Sequence, residues 1–274
     1  MMPPTDELFD LIERSPACVA AHDRQAWLDL FAEHAVVEDP VGSPAVQKGD
    51  GTLARFWDTF IGPHQTRFEV VADYAQGDDV LRDVVIHTEV RPGVSIQVPA
   101  YLLYQSEVRD GRRQLRRLAA HWTLRHSGHQ VRRMGARAWL PMTALWVRML
   151  RRMGPRWVRS YMASQRTGVG LRGVRGAEAL ARAISARDEP ALRALFVSDG
   201  AEVSLGDVRI SPAALLAQLP AGSQLVIEAP IAAGWVTGCR FRIEGPAPAQ
   251  GLALLETAPE TLQLRRARFF TAAR

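Results

Sequence analysis

From Asp6 to Ala35 the apolar residues recur at three- and four-residue steps, first Leu8, Leu11 and Ile12, then Trp27, Leu28, Leu30 and Phe31. That period places them on one face of a helical segment. Ser15-Pro16 interrupts the run and predicts a break, with Pro16 in the first turn of a second helix, where its missing N–H is harmless. Asp23 is positioned to cap a third helix ending near His34. The next stretch, AVVEDPVGSP, has β-branched residues followed by Pro and Gly, which predicts a short strand delivering a turn. A further helix over 51–60 carries Leu53, Phe56, Trp57 and Phe60 on one face.

Beyond Arg67 the period shortens to that of strands: RFEVVADYAQ, DVLRDVVIHTEV, GVSIQVPAYLLYQSEV and QLRRLAAHWTLRH. Gly77-Asp78-Asp79, Pro92-Gly93 and Asp110-Gly111 supply the turns between them. Helices followed by an antiparallel meander predict an α+β domain with helices packed on one concave sheet face, a geometry that encloses a pocket.

The same order recurs more faintly in the second half. AEALARAISARDEPALRALFVSDGAEV resembles the earlier helix pair, and Asp188 stands as far from Phe196 as Asp23 does from Phe31. Strands follow over 224–228, 234–243, 252–256 and 261–270. An internal duplication at a spacing of about 165 residues is therefore expected. We divide the chain into a first domain over 1–128, a basic amphipathic helical linker over 129–170 and a degenerate second copy over 171–274.

The net charge of +5 conceals a local excess, because residues 111–175 hold sixteen arginines and no Asp or Glu. Within that block Trp139, Met142, Leu145, Trp146, Met149, Leu150 and Met153 form an apolar stripe beside Arg148, Arg151 and Arg152. Pro141 and Gly154-Pro155 interrupt it, and its charge is too high for a membrane span. Two uses fit: lying at a membrane interface, or packing against protein, through residues 139–163. No nucleic-acid motif accompanies the arginines, so that partner class ranks last. The 47% apolar and 23% charged fractions are those of an ordinary globular protein. An acidic N-terminal stretch unlike a signal peptide predicts a cytoplasmic location, peripheral at the membrane if the arginine block docks there. Cys18 and Cys239 match neither a disulfide framework nor a metal site, and the seven histidines show no ligand grouping. Neither metal nor cofactor is expected.

The residue with the clearest chemical promise is Asp39, in Glu38-Asp39-Pro40-Val41-Gly42-Ser43-Pro44. A carboxylate followed by proline at the mouth of an apolar cone can lean inward and take a proton; an Asx turn is the structural alternative. The run LFAEHAVVEDPVGSP resembles the base-carrying segment of ketosteroid isomerases, in the SnoaL-like branch of the NTF2-like folds. The likeness extends over residues 10 to 125, with Phe56-Trp57 on the following helix. It implies a cone domain, a small hydrophobic ligand and steroid isomerase-like proton transfer with Asp39 as general base. The internal duplication makes this two cone domains in tandem, and a homodimer contact is one protein-packing use of the apolar stripe. It also implies an oxyanion hole built from a tyrosine and a neutral aspartate, and this the chain matches only in part.

Where those isomerases carry a first-helix tyrosine this chain offers Ser15 or Cys18, and aligning on Val98-Pro99 puts Tyr101 at the position of the protonated aspartate. Tyr101 is thus the expected electrophilic donor, and Phe56, Trp57, Leu103, one inward step beyond Tyr101, and Trp122 are expected pocket residues. Asp83 either points into the cone beside Asp39 or faces solvent. An Asp39–Asp83 pair would suit an epoxide hydrolase, polyketide cyclisation is a further activity of such scaffolds, and a non-catalytic binding module is the other class. In the second copy the position equivalent to Asp39 is Ser204, so no base is expected there.

Overall fold

A computed structural model describes residues 4–91, 93–135 and 139–273. It separates into two compact units, Met1–Val71 with Arg82–Arg166, and Ala72–Leu81 with Thr167–Arg274.

The first unit opens with α1 (Pro4–Ala20) and α2 (Arg24–Asp29), followed by β1 (Phe31–Glu38) and the short β2 (Val46–Gln47). Helix α3 (Thr52–Phe56) continues into a π-helical turn (Trp57–Ile61). Four long strands then form the meander: β3 (Gln65–Gln76), β4 (Asp79–Arg91), β5 (Val94–Arg109) and β6 (Arg112–His121). Helices α4 (Leu124–Met134), α5 (Trp139–Arg152) and α6 (Pro155–Ser164) complete it.

Two local expectations are corrected. Helix α1 runs unbroken through Pro16, its face held by the buried Leu8, Leu11, Ile12, Ser15 and Val19. Asp23 does cap α2, accepting from the Ala26 N–H at 2.9 Å, but that helix ends at Asp29. Phe31–Glu38 is a strand because its backbone pairs in parallel with β6, Val37 opposite Leu118.

The second unit consists of α7 (Gly170–Ser185), α8 (Glu189–Ala194), β7 (Glu202–Leu205), β8 (Val208–Ile210), α9 (Pro212–Gln218), β9 (Gln224–Ala233), β10 (Val236–Glu244), β11 (Ala249–Thr257) and β12 (Leu264–Phe270). Its sheet order, β8-β7-β12-β11-β10-β9, matches β2-β1-β6-β5-β4-β3 of the first unit strand for strand. The likeness extends to detail. Asp188 caps α8 through the Ala191 N–H as Asp23 caps α2, and the residues before the two caps, Arg187 and His22, both have φ of 53°. β7 pairs in parallel with β12, as β1 does with β6. The chain is α+β, with two cone-type domains in tandem.

The two copies use their concave faces differently. In the second, Cys239, Phe241, Leu255 and Phe269 from the sheet meet Leu180, Ile184, Leu192 and Leu215 from the helices in one packed cluster. The first instead leaves a cavity. Among the described residues no helix is long and apolar enough to cross a membrane.

Candidate active site

Strand alternation decides what reaches the cavity of the first unit. On β1 and the turn after it, Val37 and Asp39 line the cavity, while Glu38 points the other way and pairs with Arg117. On β5 and β6, Leu102 and Ala120 are directly opposed and both line the cavity. Tyr101 and His121, also directly opposed, therefore occupy the other face.

The cavity has a volume of about 470 Å³, and its walls are mostly apolar. Asp39 is its only Asp or Glu among the described residues. The carboxylate is partly buried, and the Trp122 indole N–H donates to its Oδ1. Removal from water disfavours the charged carboxylate more than this hydrogen bond favours it, so the Asp39 pKa is raised to about 6. A general base near neutrality needs such a value.

Helices α5 and α6 bring further walls. Met142 and Leu145 of α5 and Tyr161 of α6 all line the cavity. Met149, Val158 and Tyr161 form a small buried cluster with Phe60, Leu145 and Trp157 packed on it. Polar contacts tie these helices down: Arg152 pairs with Asp58 at 3.2 Å, and Asp58 also pairs with Arg24 of α2 at 2.9 Å. Arg148 contacts Nε2 of His64 at 3.0 Å, while Nδ1 of His64 lies 2.8 Å from the Phe60 carbonyl. A carbonyl only accepts and a guanidinium only donates, so His64 carries its proton on Nδ1 and is neutral. Burial lowers its pKa in agreement.

Helices α5 and α6, from the segment read as a linker, belong to the first unit. Part of its arginine block meets Asp58 and His64. Leu140, Trp146, Val147 and Leu150 of α5 remain exposed. The side chain of Trp139, placed in the predicted stripe, lies outside the described residues.

Of the residues expected at the site, Asp39, Phe56 and Trp122 line the cavity. Tyr101 and Leu103 do not, because the true inward register on β5 is Leu102 and Tyr104, one residue away. A one-residue slip inverts every side chain of a strand. The backbone carbonyl of Tyr101 accepts from His121, whose pKa burial lowers to about 4. Asp83 is buried on the opposite face of β4 from the cavity-lining Ile86 and Thr88, so the imagined Asp39–Asp83 pair is not formed. Trp57 is core, its ring 5.2 Å from that of Trp27. Ser15 reaches the cavity and accepts from the Trp27 indole at 3.3 Å, whereas Cys18 is not among the lining residues.

Sequence reasoning missed Tyr104, His64 and Tyr161. The first would have followed from the correct register, and Tyr161 from its four-residue step after Trp157. Among the described residues no group of three His, Cys, Asp or Glu side chains is placed to hold a metal ion.

A helix-backed sheet around an apolar cavity, with one carboxylate among the described lining residues, is the arrangement of a cone-type domain. Residues 12–134 match the SnoaL-like domain family, and the chain carries a SnoaL-like domain, of the NTF2-like superfamily, in its first unit. Among solved structures it is similar to the Δ5-3-ketosteroid isomerase of a Mycobacterium species, with 29% identity, a TM-score of 0.39, and coverage of 44% of this chain and 95% of that one. It is also similar to RV0760c of Mycobacterium tuberculosis, solved with estradiol-17β-hemisuccinate, with 24% identity, a TM-score of 0.39 and coverage of 44% and 96%. An LEH-like epoxide hydrolase of M. tuberculosis aligns at 16% identity and a TM-score of 0.41, covering 53% of this chain and 98% of that one. No curated protein matches.

Proposed function

We propose that the first unit binds a small hydrophobic carbonyl compound of steroid-like size and that Asp39 moves a proton on it, as in a steroid Δ-isomerase. The observation that carries this reading is a single carboxylate, oriented by Trp122, facing an otherwise mostly apolar cavity of about 470 Å³. That volume lies in the range of small-molecule sites, roughly 300–1,000 Å³. Ionised Asp39 takes the proton from the carbon alpha to the carbonyl, and the C–H electrons move onto the carbonyl oxygen as an enolate. The neutral acid then returns the proton to the far carbon of the conjugated system, restoring the carboxylate. An epoxide-opening reading on paired acids is not favoured, because Asp83 stands on the other face of its strand.

The test is turnover of a 3-keto-Δ5-steroid, followed by the ultraviolet absorbance of the conjugated ketone. Only the ionised base acts, so kcat/KM rises with pH through about 6 and levels off above. The rate at pH 5 is expected to be about tenfold below that at pH 7.5. A wild-type protein without turnover, or a rate indifferent to pH across this range, would remove the isomerase reading and leave a binding module. Trp122→Phe deletes the donor on Oδ1 and lets desolvation act unopposed. The same profile should then shift to higher pH, by up to about one unit. An unmoved profile would mean that the indole does not hold the carboxylate.

A further inference from the structure

Tyr161 has no place in the family resemblance, since it lies beyond the matched residues 12–134. It is nonetheless a wall of the same cavity as Asp39. Gly154, at a φ of 88°, and Pro155 at the first position of α6 turn the chain between α5 and α6. The Tyr161 ring is held by an aromatic stack: its centroid lies 5.2 Å from that of Trp157 with an interplanar angle of 14°, and Trp157 lies 6.0 Å from Phe60. Only 8% of the residue remains exposed.

Several other polar groups of the wall are engaged. Ser15 receives the Trp27 indole, His64 is bracketed by Phe60 and Arg148, and the ring of Tyr104 faces the buried Arg82 guanidinium at 6.0 Å. The Tyr161 hydroxyl has no hydrogen-bond partner among the described residues. A phenol held rigidly in an apolar cavity with its donor unspent is a group that a ligand oxygen can satisfy.

We infer that Tyr161 is the electrophile of the site, donating its hydroxyl hydrogen bond to the carbonyl oxygen of the ligand while Asp39 holds the transferred proton. This rests on the proton-transfer reading above. The phenol keeps its own proton throughout; it stabilises the negative oxygen that forms as the C–H electrons move onto the carbonyl, and that oxygen returns to a carbonyl when Asp39 gives the proton back. Burial and the nearby Asp39 charge both raise the phenol pKa, so Tyr161 stays a donor at all working pH values. Once Asp39 is protonated its repulsion disappears, and the hydroxyl becomes a stronger donor as the enolate appears. The role that sequence assigned to Tyr101 thus passes to a helix outside the family module.

The test uses the full chain, Tyr161→Phe and Asp39→Asn, with two probes of nearly equal shape followed by fluorescence titration: 2-naphthol, whose oxygen mimics the enolate, and 2-methylnaphthalene, which has none. Tyr161→Phe should lose about five- to tenfold in 2-naphthol affinity and change by less than about twofold for 2-methylnaphthalene, as expected for one hydrogen bond. Its kcat on the steroid should fall by roughly 10²-fold or more with KM little changed. Unchanged 2-naphthol affinity, equal weakening of both probes, or failure of the wild type to bind either would overturn the assignment. The two readings separate cleanly. If Asp39→Asn abolishes turnover while Tyr161→Phe is silent on 2-naphthol, the base stands and the electrophile falls. If Tyr161→Phe loses 2-naphthol while Asp39→Asn leaves turnover intact, the donor stands and the base falls.

Discussion

Asp39→Asn is expected to abolish proton transfer and at the same time to make the protein more stable. The amide cannot take a proton, and loss of a general base lowers turnover by about 10² to 10⁴-fold. Its oxygen can still accept from Trp122, so the cavity keeps its shape. The stability gain follows from the raised pKa. The Asp39 carboxyl holds its proton to about pH 6 in the folded chain, against 3.8 for an unperturbed aspartate. Between those values the folded state binds more protons than the unfolded state, so wild-type stability falls as pH rises through that window. Above pH 6 the full cost of the buried charge applies, of order 2 to 3 kcal/mol. The variant should therefore exceed wild type by about that amount at pH 7 in urea unfolding, with the difference vanishing near pH 4. A variant less stable than wild type at pH 7 would show that the carboxylate holds the fold together instead of straining it.

Gly251→Ala is expected to destabilise the second unit severely. Gly251 lies on β11 opposite Phe241 of β10. A Cβ at this position would stand 1.9 Å from the Phe270 carbonyl oxygen and 2.8 Å from the Phe241 ring. The oxygen belongs to the backbone of β12, which is paired to β11 and cannot swing aside as a long side chain would. The sheet has to spread at its centre, which costs more than about 3 kcal/mol. For a unit of this size that corresponds to a fall of roughly 10 °C or more in Tm. A variant melting within about 2 °C of wild type would mean that β11 and β12 are not packed as described.

Both variants bear on what could be read in the sequence. The order of helices and strands, the turn glycines and the Asp23 cap were legible because each depends on local periodicity or on a side chain reaching its own backbone. So was the tandem arrangement, since the eight-residue interval from cap to Phe repeats. The facing of Asp39 followed from a strand ending at proline. Tyr101 was misplaced because a strand offers two faces and sequence alone fixes neither without an anchor; Leu102 and Tyr104 differ from it in parity along β5. Asp83 failed for the same reason on β4. Phe31–Glu38 read partly as helix because Leu30, Phe31 and Ala35 keep helical steps, whereas parallel pairing with β6 is a long-range fact that no window contains. Tyr161 was readable only as a four-residue neighbour of Trp157, because its value lies in where α6 packs.

Met142, Leu145 and Tyr161 stand outside residues 12–134, although they are walls of the cavity that those residues begin. Part of the cavity wall is therefore written on a stretch of the gene separate from that of Asp39. Substitution in α5 or α6 can reshape what the cavity accepts while Asp39 and Trp122 stay untouched. A graft or a comparison confined to the family module would carry Asp39 and Trp122 without the α5 and α6 walls, Tyr161 among them.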